Sequence, residues 1–371
     1  MQATVRDISR LMESLYPPYI AEDWDNVGLQ IGSLASPVKK IMVTLEADQE
    51  IVNEAIEQQI DLIITHHPLF FKPIKSINFN RPQGKLIKNI IQHNINIYTA
   101  HTNLDAGSTG LNEYLAEKLE LQDITLLDAS YSETLYKLVV YVPEEHETQV
   151  RQSITAAGAG HIGKYSDCTF RIQGTGTFLP REGSQPFIGA TGQLEEVREY
   201  RLETIVSRNI LDQVLDSMKQ SHPYEEVAYD IYPLANKSLT YSPGRIGVLP
   251  QPMTLKEFCL HVKQKLDINT LRFVGDDQDM VKKIALVSGS GAGFINKARQ
   301  QGCDLLLTGD LKYHEAKDAQ ALGLKVADAG HQQMERLMAP LLAEQLRTGC
   351  ADMGYELEII IKYSSECIKI I

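Results

Sequence analysis

Short apolar runs separated by polar loops dominate both ends of this chain, and one of them is LIIT, Leu62 to Thr65. The run is brief, unbroken and rich in β-branched side chains, the pattern of a strand buried on both faces of a parallel sheet. Pro68 has no amide proton to donate and ends the pairing. His66 and His67 therefore fall where strand gives way to loop, the carboxyl edge at which open α/β sheets bind ligands.

The same rhythm recurs. VKKIMVTLEADQEIVNEAIEQQIDLIITHH, from Val38, aligns without a gap on VKKIALVSGSGAGFINKARQQGCDLLLTGD, from Val281, 243 positions further on. Val38, Lys39, Lys40, Ile41, Asn53, Ala55, Gln58, Asp61, Leu62 and Thr65 are identical in the second copy. Each copy reads as strand, helix, strand, a right-handed βαβ crossover. More loosely, NINIYTAHTNLDA matches GLKVADAGHQQME, each a strand running into a polar loop that carries a histidine. A match of this kind marks an internal duplication. The chain's ends, residues 1–130 and 237–371, are expected to be related α/β lobes, the second completing one domain with the first.

Residues 131–236 have a different character. YKLVVYVP, EEHETQVRQSITAAG, CTFRIQGTGTFLP, EYRLETIVSR, NILDQVLDSMKQSHP and EVAYDIYPL predict β-α-β-β-α-β, the ferredoxin-like order, with extra strand material in FIGATGQLEEV. DAS before this segment and ANKSLTYSPG after it read as linkers, so an α+β domain is inserted between the lobes.

Composition narrows the function classes. A chain of 371 residues with 43% hydrophobic and 23% charged positions is expected to be soluble and folded throughout. A net charge of −12 and the lack of any basic stripe argue against nucleic acid as a partner. The five cysteines are scattered and form no CxxC pair, which suits free thiols in a reducing cytoplasm. No stretch approaches the length needed to cross a bilayer, and the N-terminus has helical rhythm without a signal peptide's apolar core.

Four places put metal-ligand side chains just after apolar strands: His66 and His67; His101 and Asp105 in AHTNLDA; Asp310 and His314 in TGDLKYHEA; His331 and Glu335 in DAGHQQMER. Two come from each lobe, so facing lobes would bring them to one cleft. His331 and Glu335 are four apart in a stretch of helical periodicity, which sets them on one helix face. His66 and His67, as neighbours, diverge and suit one metal each. A mixed imidazole and carboxylate set fits Zn, Fe, Mn, Co or Ni rather than calcium. Two such ions need a bridge, for which Glu335 or Asp105 is the candidate, and they would acidify a shared water. His93, His146, His161, His222 and His261 read as hydrogen-bonded fillers, and Asp310 with His314 reads equally well as a helix N-cap beside an exposed histidine.

Taken together, DWDNVGLQIG, DLIITHHPLFF, TAHTNLDA, LLLTGDLKYHEA and DAGHQQME resemble the Nif-three-like dinuclear-metal family, whose members are also named GTP cyclohydrolase I type 2 homologues. The resemblance spans both outer lobes. It implies metal ligands at His66, His67, Asp105, His331 and Glu335, with Glu335 bridging two divalent cations such as Zn, Fe or Mn. Our expected pairing is His67 with Asp105 on one ion and His66 with His331 on the other. HPYEEVAYDIYPL, from His222, resembles the end of the CutA/PII-like insert of longer members, and implies a homohexameric toroid of paired trimers. There His222 and Glu225 form either an extra ligand site or a capped turn.

The function expected is a dinuclear metal-dependent hydrolase of a small molecule, with His101 or His314 transferring a proton. The family name suggests opening of the guanine ring of GTP at C8 with release of formate. No P-loop accompanies the metals, and SGSGAG, Ser288 to Gly293, is either a phosphate-approaching turn or a tight strand-to-helix connection. The alternative is a non-catalytic metal-binding oligomer that acts as a sensor or regulator through its inserted domain.

Overall fold

The computed structural model describes residues 2–128, 131–132, 134–163, 165–236 and 240–368. The chain divides into two compact units, residues 1–130 with 241–371, and residues 131–240. Of the expected linkers, Ala129, Ser130 and residues 237–239 lie outside the described residues.

In the larger unit the duplicated segments form the middle of two sheets. Lys40–Thr44, Leu62–Thr65 and Asn96–Thr99 pair in parallel in one, and Met280–Leu286, Leu305–Thr308 and Lys325–Asp328 do so in the other. The register repeats as well, since Ile41 lies opposite Leu62 as Ile284 lies opposite Leu305. The recurring aspartate shows why. Asp61 Oδ2 accepts the amide protons of Lys39 and Lys40 at 2.7 and 3.0 Å, and Asp304 Oδ2 accepts those of Lys282 and Lys283, both at 2.9 Å. Each aspartate thus pins the entry of one strand to the entry of the next.

An antiparallel strand closes the same edge of each sheet, Gly28–Ile31 beside Asn96–Thr99 and Arg272–Val274 beside Lys325–Asp328. At the other edge the halves exchange strands. Glu358–Ile361 lies parallel to Lys40–Thr44, while Gln122–Leu126 pairs with Arg245–Thr254 next to Met280–Leu286. The two ends of the chain therefore complete each other's sheets.

Alternation along the central strands divides their side chains between cores. Ile41, Val43, Leu62 and Ile64 meet Ile284, Leu286, Leu305 and Leu307 in one cluster with the helices Val5–Leu15, Leu255–Leu266 and Met338–Asp352. Met42, Ile63 and Ile97 face the helices Gln49–Glu57 and Pro82–Gln92 instead. Ala285, Leu306 and Val326 likewise face Ile295–Gln300 and Tyr313–Ala321. Each buried Leu or Ile of the shared cluster contributes about 1.5–3 kcal/mol, so the joint between the sheets is firm.

In the smaller unit Leu135–Pro143, Thr169–Phe178, Glu195–Ser207 and Tyr229–Pro233 make one antiparallel sheet, and the helices Glu147–Ala156 and Leu211–Ser221 cover it. The spatial order of the strands, second, third, first, fourth, is that of the ferredoxin-like arrangement. The extra strand expected in FIGATGQLEEV is not separate: residues 187–194 are loop, and Glu195 already begins the long strand. Gly189 and Gly192, at φ +88° and +82°, break the extended backbone there. No helix among the described residues is long and apolar enough to cross a membrane, and all five cysteines are free.

Candidate metal centre

The site lies in the larger unit, where loops leave the carboxyl ends of both parallel sheets. His66 and His67 follow the strand Leu62–Thr65, and their amides donate to Leu45 O at 3.2 and 2.9 Å. His101 precedes the short helix Thr102–Ala106, which carries Asp105. His331 and Glu335 are the first and last residues of the helix His331–Glu335, entered through Gly330 at φ +85°.

These side chains converge. Glu335 Oε2 lies 2.9 Å from His67 Nε2 and 2.8 Å from His331 Nε2, and those two nitrogens are 3.3 Å apart. The other Glu335 oxygen, Oε1, lies 3.7 Å from His66 Nε2, which is also 3.7 Å from Asp105 Oδ1. Glu335 therefore faces His67 and His331 with one oxygen and His66 with the other. Ligand atoms of His66, His67 and His101 lie within 4.8 Å of one another, as do those of His67, His331 and Glu335.

Outer partners fix which nitrogen faces inward. Nδ1 of His66 meets Ala100 O at 3.0 Å, Nδ1 of His67 meets Glu46 Oε1 at 3.1 Å, Nδ1 of His101 meets Asp25 Oδ1 at 2.9 Å and Nδ1 of His331 meets Asp310 Oδ2 at 2.7 Å. All four imidazoles are thus steered to present Nε2, the arrangement that outer partners impose on metal-binding histidines. Asp105 Oδ1 in turn accepts the Ser288 hydroxyl at 3.0 Å.

One buried side-chain atom of the cluster has no hydrogen-bond partner. His66 is 0% exposed, and its Nε2 has none among the described residues. An orphaned buried polar atom costs about 1–3 kcal/mol, a cost that a cation between Nε2 and the two carboxylates removes. The donor set fits a divalent transition metal, so this buried cluster can hold one.

Charge follows the same geometry. Burial alone would lower His67 and His331, yet Glu335 with Glu46 raises His67 to about 10, and Glu335 with Asp310 raises His331 to about 9. His66 is also raised, because Asp105 and Glu335 outweigh its burial. Burial pushes Asp105 up, whereas Glu335, surrounded by His66, His331 and His67, lies well below the usual carboxylate range despite its burial.

The structure brings His66, His67, His101, Asp105, His331 and Glu335 together and leaves His314 out. His314 is exposed on the helix Tyr313–Ala321, its ring 5.3 Å from Tyr313, and it enters none of these contacts. The pairing we expected is also corrected. His67 stands with His331 and His66 with Asp105, because Glu335 projects from its helix between the two imidazoles that diverge from one strand end. Asp25 and Glu46 belong to the site without having been assigned roles, and Ser288 and Gly289 enter it from SGSGAG. Asp25 sits in DWDNVGLQIG, and Glu46 and Gly289 occupy the same place in the two repeats, in loops that share no residue and so carried no signal. SGSGAG is a tight connection, with the Gly291 amide donating to Thr308 Oγ1 at 2.8 Å. A cavity of about 660 Å³ opens beside the cluster, with Glu46, His67, Arg272, Asp310, His331 and Cys367 among its walls.

The profile of the Duf34/NIF3 (NGG1p interacting factor 3) family matches residues 3–366. The GTP cyclohydrolase 1 type 2 homolog of Bacillus subtilis (strain 168) is 46% identical over 356 residues, covering 96% of this chain and 95% of its own. The protein of the same name from Halalkalibacterium halodurans is 42% identical over 358 residues, covering 96% of each. Among solved structures, the Bacillus cereus protein related to NIF3 superposes with a TM-score of 0.81 at 42% identity, over 100% of this chain and 99% of that one. Staphylococcus aureus protein SA1388 does so with a TM-score of 0.77 at 30% identity, over 100% and 99%.

Proposed function

This chain belongs to the Duf34/NIF3 family, and from that premise we propose that it is a metal-dependent hydrolase with a dinuclear divalent-cation centre. His66 and Asp105 would hold one ion, His67 and His331 the other, and Glu335 would span both. The observation that carries this reading is the buried, partnerless Nε2 of His66 between two carboxylates. Divalent cations supply Lewis-acid polarisation and a lowered pKa of bound water near neutral pH. The protein's own part is orientation and proton handling. His101, steered by Asp25, presents Nε2 to the same cleft and is placed to carry a proton to or from the reacting group. The cavity beside the cluster would admit a small molecule; Arg272 lines it already paired with Asp328, and Glu46 and Asp310 stand in the same wall.

The relatives' shared name makes GTP the first substrate to try, by hydrolytic opening of the guanine ring with loss of formate. Zn, Fe and Mn all suit the donors. The inserted unit's strand order fits the CutA/PII-like insert that the sequence resemblance implies for residues 131–236, and from that resemblance we also propose a homohexamer of paired trimers in the cytoplasm. The test is purification without added metal, metal analysis, and assay of GTP and a phosphoester panel before and after chelation, with Asp105→Asn alongside. We expect about two ions per chain and turnover that vanishes on chelation. Two bound ions with no turnover on any substrate would replace the hydrolase by a metal-binding scaffold, and metal-free protein would remove both readings.

A further inference from the structure

The inserted unit, residues 131–240, has a cavity of its own of about 390 Å³. Its size is at the small end of ligand cavities, which span about 300–1,000 Å³. Its walls are aromatic: the Phe178 and Phe187 rings stand 5.8 and 6.3 Å from Tyr224, and Tyr141 joins them. The charged side chains that line it, Glu199, Glu225 and Glu226, are all acidic. Arg201 is not in its lining; it shares an adjoining cavity with Glu199 but is paired with Glu203 at 2.8 Å and donates to the Tyr141 hydroxyl at 3.0 Å.

Glu199 is the telling residue. It is 7% exposed, and its Oε1 accepts the Tyr224 hydroxyl at 3.1 Å, while Oε2 has no hydrogen-bond partner among the described residues. Gly176 leaves the room for that oxygen, because a Cβ there would stand 2.1 Å from it. Burial raises the Glu199 carboxyl above its ordinary value, the direction expected of a carboxylate that lacks a countercharge.

The HPYEE turn builds this floor rather than a metal site. Both ring nitrogens of His222 are used, Nε2 with Tyr141 O at 3.0 Å and Nδ1 accepting the Tyr224 amide at 3.1 Å. Glu225 Oε1 accepts the Gln185 amide at 2.9 Å. The turn thereby presents Tyr224 to Glu199.

We propose that this cavity binds a small organic cation, an ammonium or guanidinium group on a short apolar chain, with its charge on Glu199 and its methylenes between Phe178, Phe187 and Tyr224. A buried carboxylate needs a paired cation, and aromatic faces attract one, so carboxylate and rings together select charge and apolar bulk at once. None of these residues belongs to the metal cluster, so the two readings stand or fall separately.

The experiment uses the full chain with four probes of matched size: n-butylammonium, n-butylguanidinium, neutral 1-pentanol and anionic valerate. Binding is read by saturation-transfer NMR and calorimetry. The cations should bind about tenfold or more tightly than pentanol, with valerate weaker still. Glu199→Gln should cost the cations about tenfold or more and leave pentanol unchanged. Phe187→Ala, at an exposed position that the fold does not depend on, should weaken cations and pentanol together. Circular dichroism and melting confirm that each variant is folded. Equal affinity for pentanol and the cations, cation binding that survives in Glu199→Gln, or no cation binding up to about 20 mM would each overturn the proposal.

Discussion

A single methyl group at Gly289 tests the geometry of the metal centre. Gly289 has φ +62°, where alanine costs about 1–2 kcal/mol on backbone grounds alone. A Cβ there would also stand 2.2 Å from Glu335 Oε1, so the carboxylate would have to retreat by more than an ångström. Glu335 is held by His67 at 2.9 Å and His331 at 2.8 Å, and cannot retreat without leaving them. Displacing even an outer partner of a metal ligand typically costs about 10–100-fold in metal affinity, and displacing Glu335 itself should cost at least that. Gly323→Ala separates strain from clash, because Gly323 has φ +67° with nothing within 4 Å of its would-be Cβ. Chelated and dialysed, both variants should melt lower than the parent, Gly289→Ala by more, because the displaced Glu335 also gives up His67 and His331. On titration with Co²⁺ followed by calorimetry and absorbance, only Gly289→Ala should lose affinity by about tenfold or more. Binding by Gly289→Ala within about threefold of the parent would refute the placement of Glu335 on which the dinuclear reading rests.

Other outcomes follow from the same contacts. His67 and His331, raised to about 10 and about 9 from 6.5, stabilise the metal-free fold fully below 6.5 and lose that contribution as pH climbs through 9 and 10. Chelated protein should therefore melt lower as pH rises across that window, and metal loading near pH 7.5 should release protons from both histidines, about two or more per chain, measured in buffers of different ionisation heat; release near zero contradicts the assignment of both histidines. Arg245, 1% exposed, bonds Glu113 at 2.6 Å and the carbonyls of Ser242 and Gly107 at 2.8 and 2.5 Å, next to the helix that carries Asp105. Arg245→Met should cost about 3–5 kcal/mol in urea unfolding, and a loss below about 1 kcal/mol would show that the clamp is not structural. His314→Ala should leave metal content and turnover unchanged, whereas His101→Ala should slow turnover by about 100-fold with metal retained; equal effects would return the proton transfer to an open choice between them.

Much of the frame was legible because it is local and periodic. LIIT and its repeat LLLT announced buried parallel strands, and the identical Asp61 and Asp304 mark contacts that pin those strands in the same register. The ligand types were legible too, since His-His-Pro and Gly-His-x-x-x-Glu carry their chemistry in spacing. The exchange of Gln122–Leu126 and Glu358–Ile361 between sheets was not, because a short edge strand pairs equally well with either sheet until the whole core chooses. Nor was the partnering of His66 with Asp105. Adjacent residues at a strand end leave in different directions, and which imidazole meets which acid depends on how the facing helix enters, a long-range fact.

The duplication explains why the site is one-sided. In the shared frame His66 and His67 correspond to Gly309 and Asp310, and Glu46 corresponds to Gly289. Thus the first repeat supplies two imidazoles and the carboxylate that steers one of them, while the second supplies room for Glu335 and a carboxylate that steers His331. A symmetric pair of half-sites is sterically closed to this fold. A Cβ on Gly309 would lie 2.7 Å from the His331 amide nitrogen and 2.8 Å from Gly289 O, both backbone atoms that cannot swing away. Gly309→His should therefore not add a ligand; it should push the His331 loop off and lower metal content, with melting reduced by more than in Gly323→Ala. If Gly309→His instead bound metal as well as the parent, the loops would be free to move apart, and a site assembled by close backbone approach of two repeats would be the wrong description.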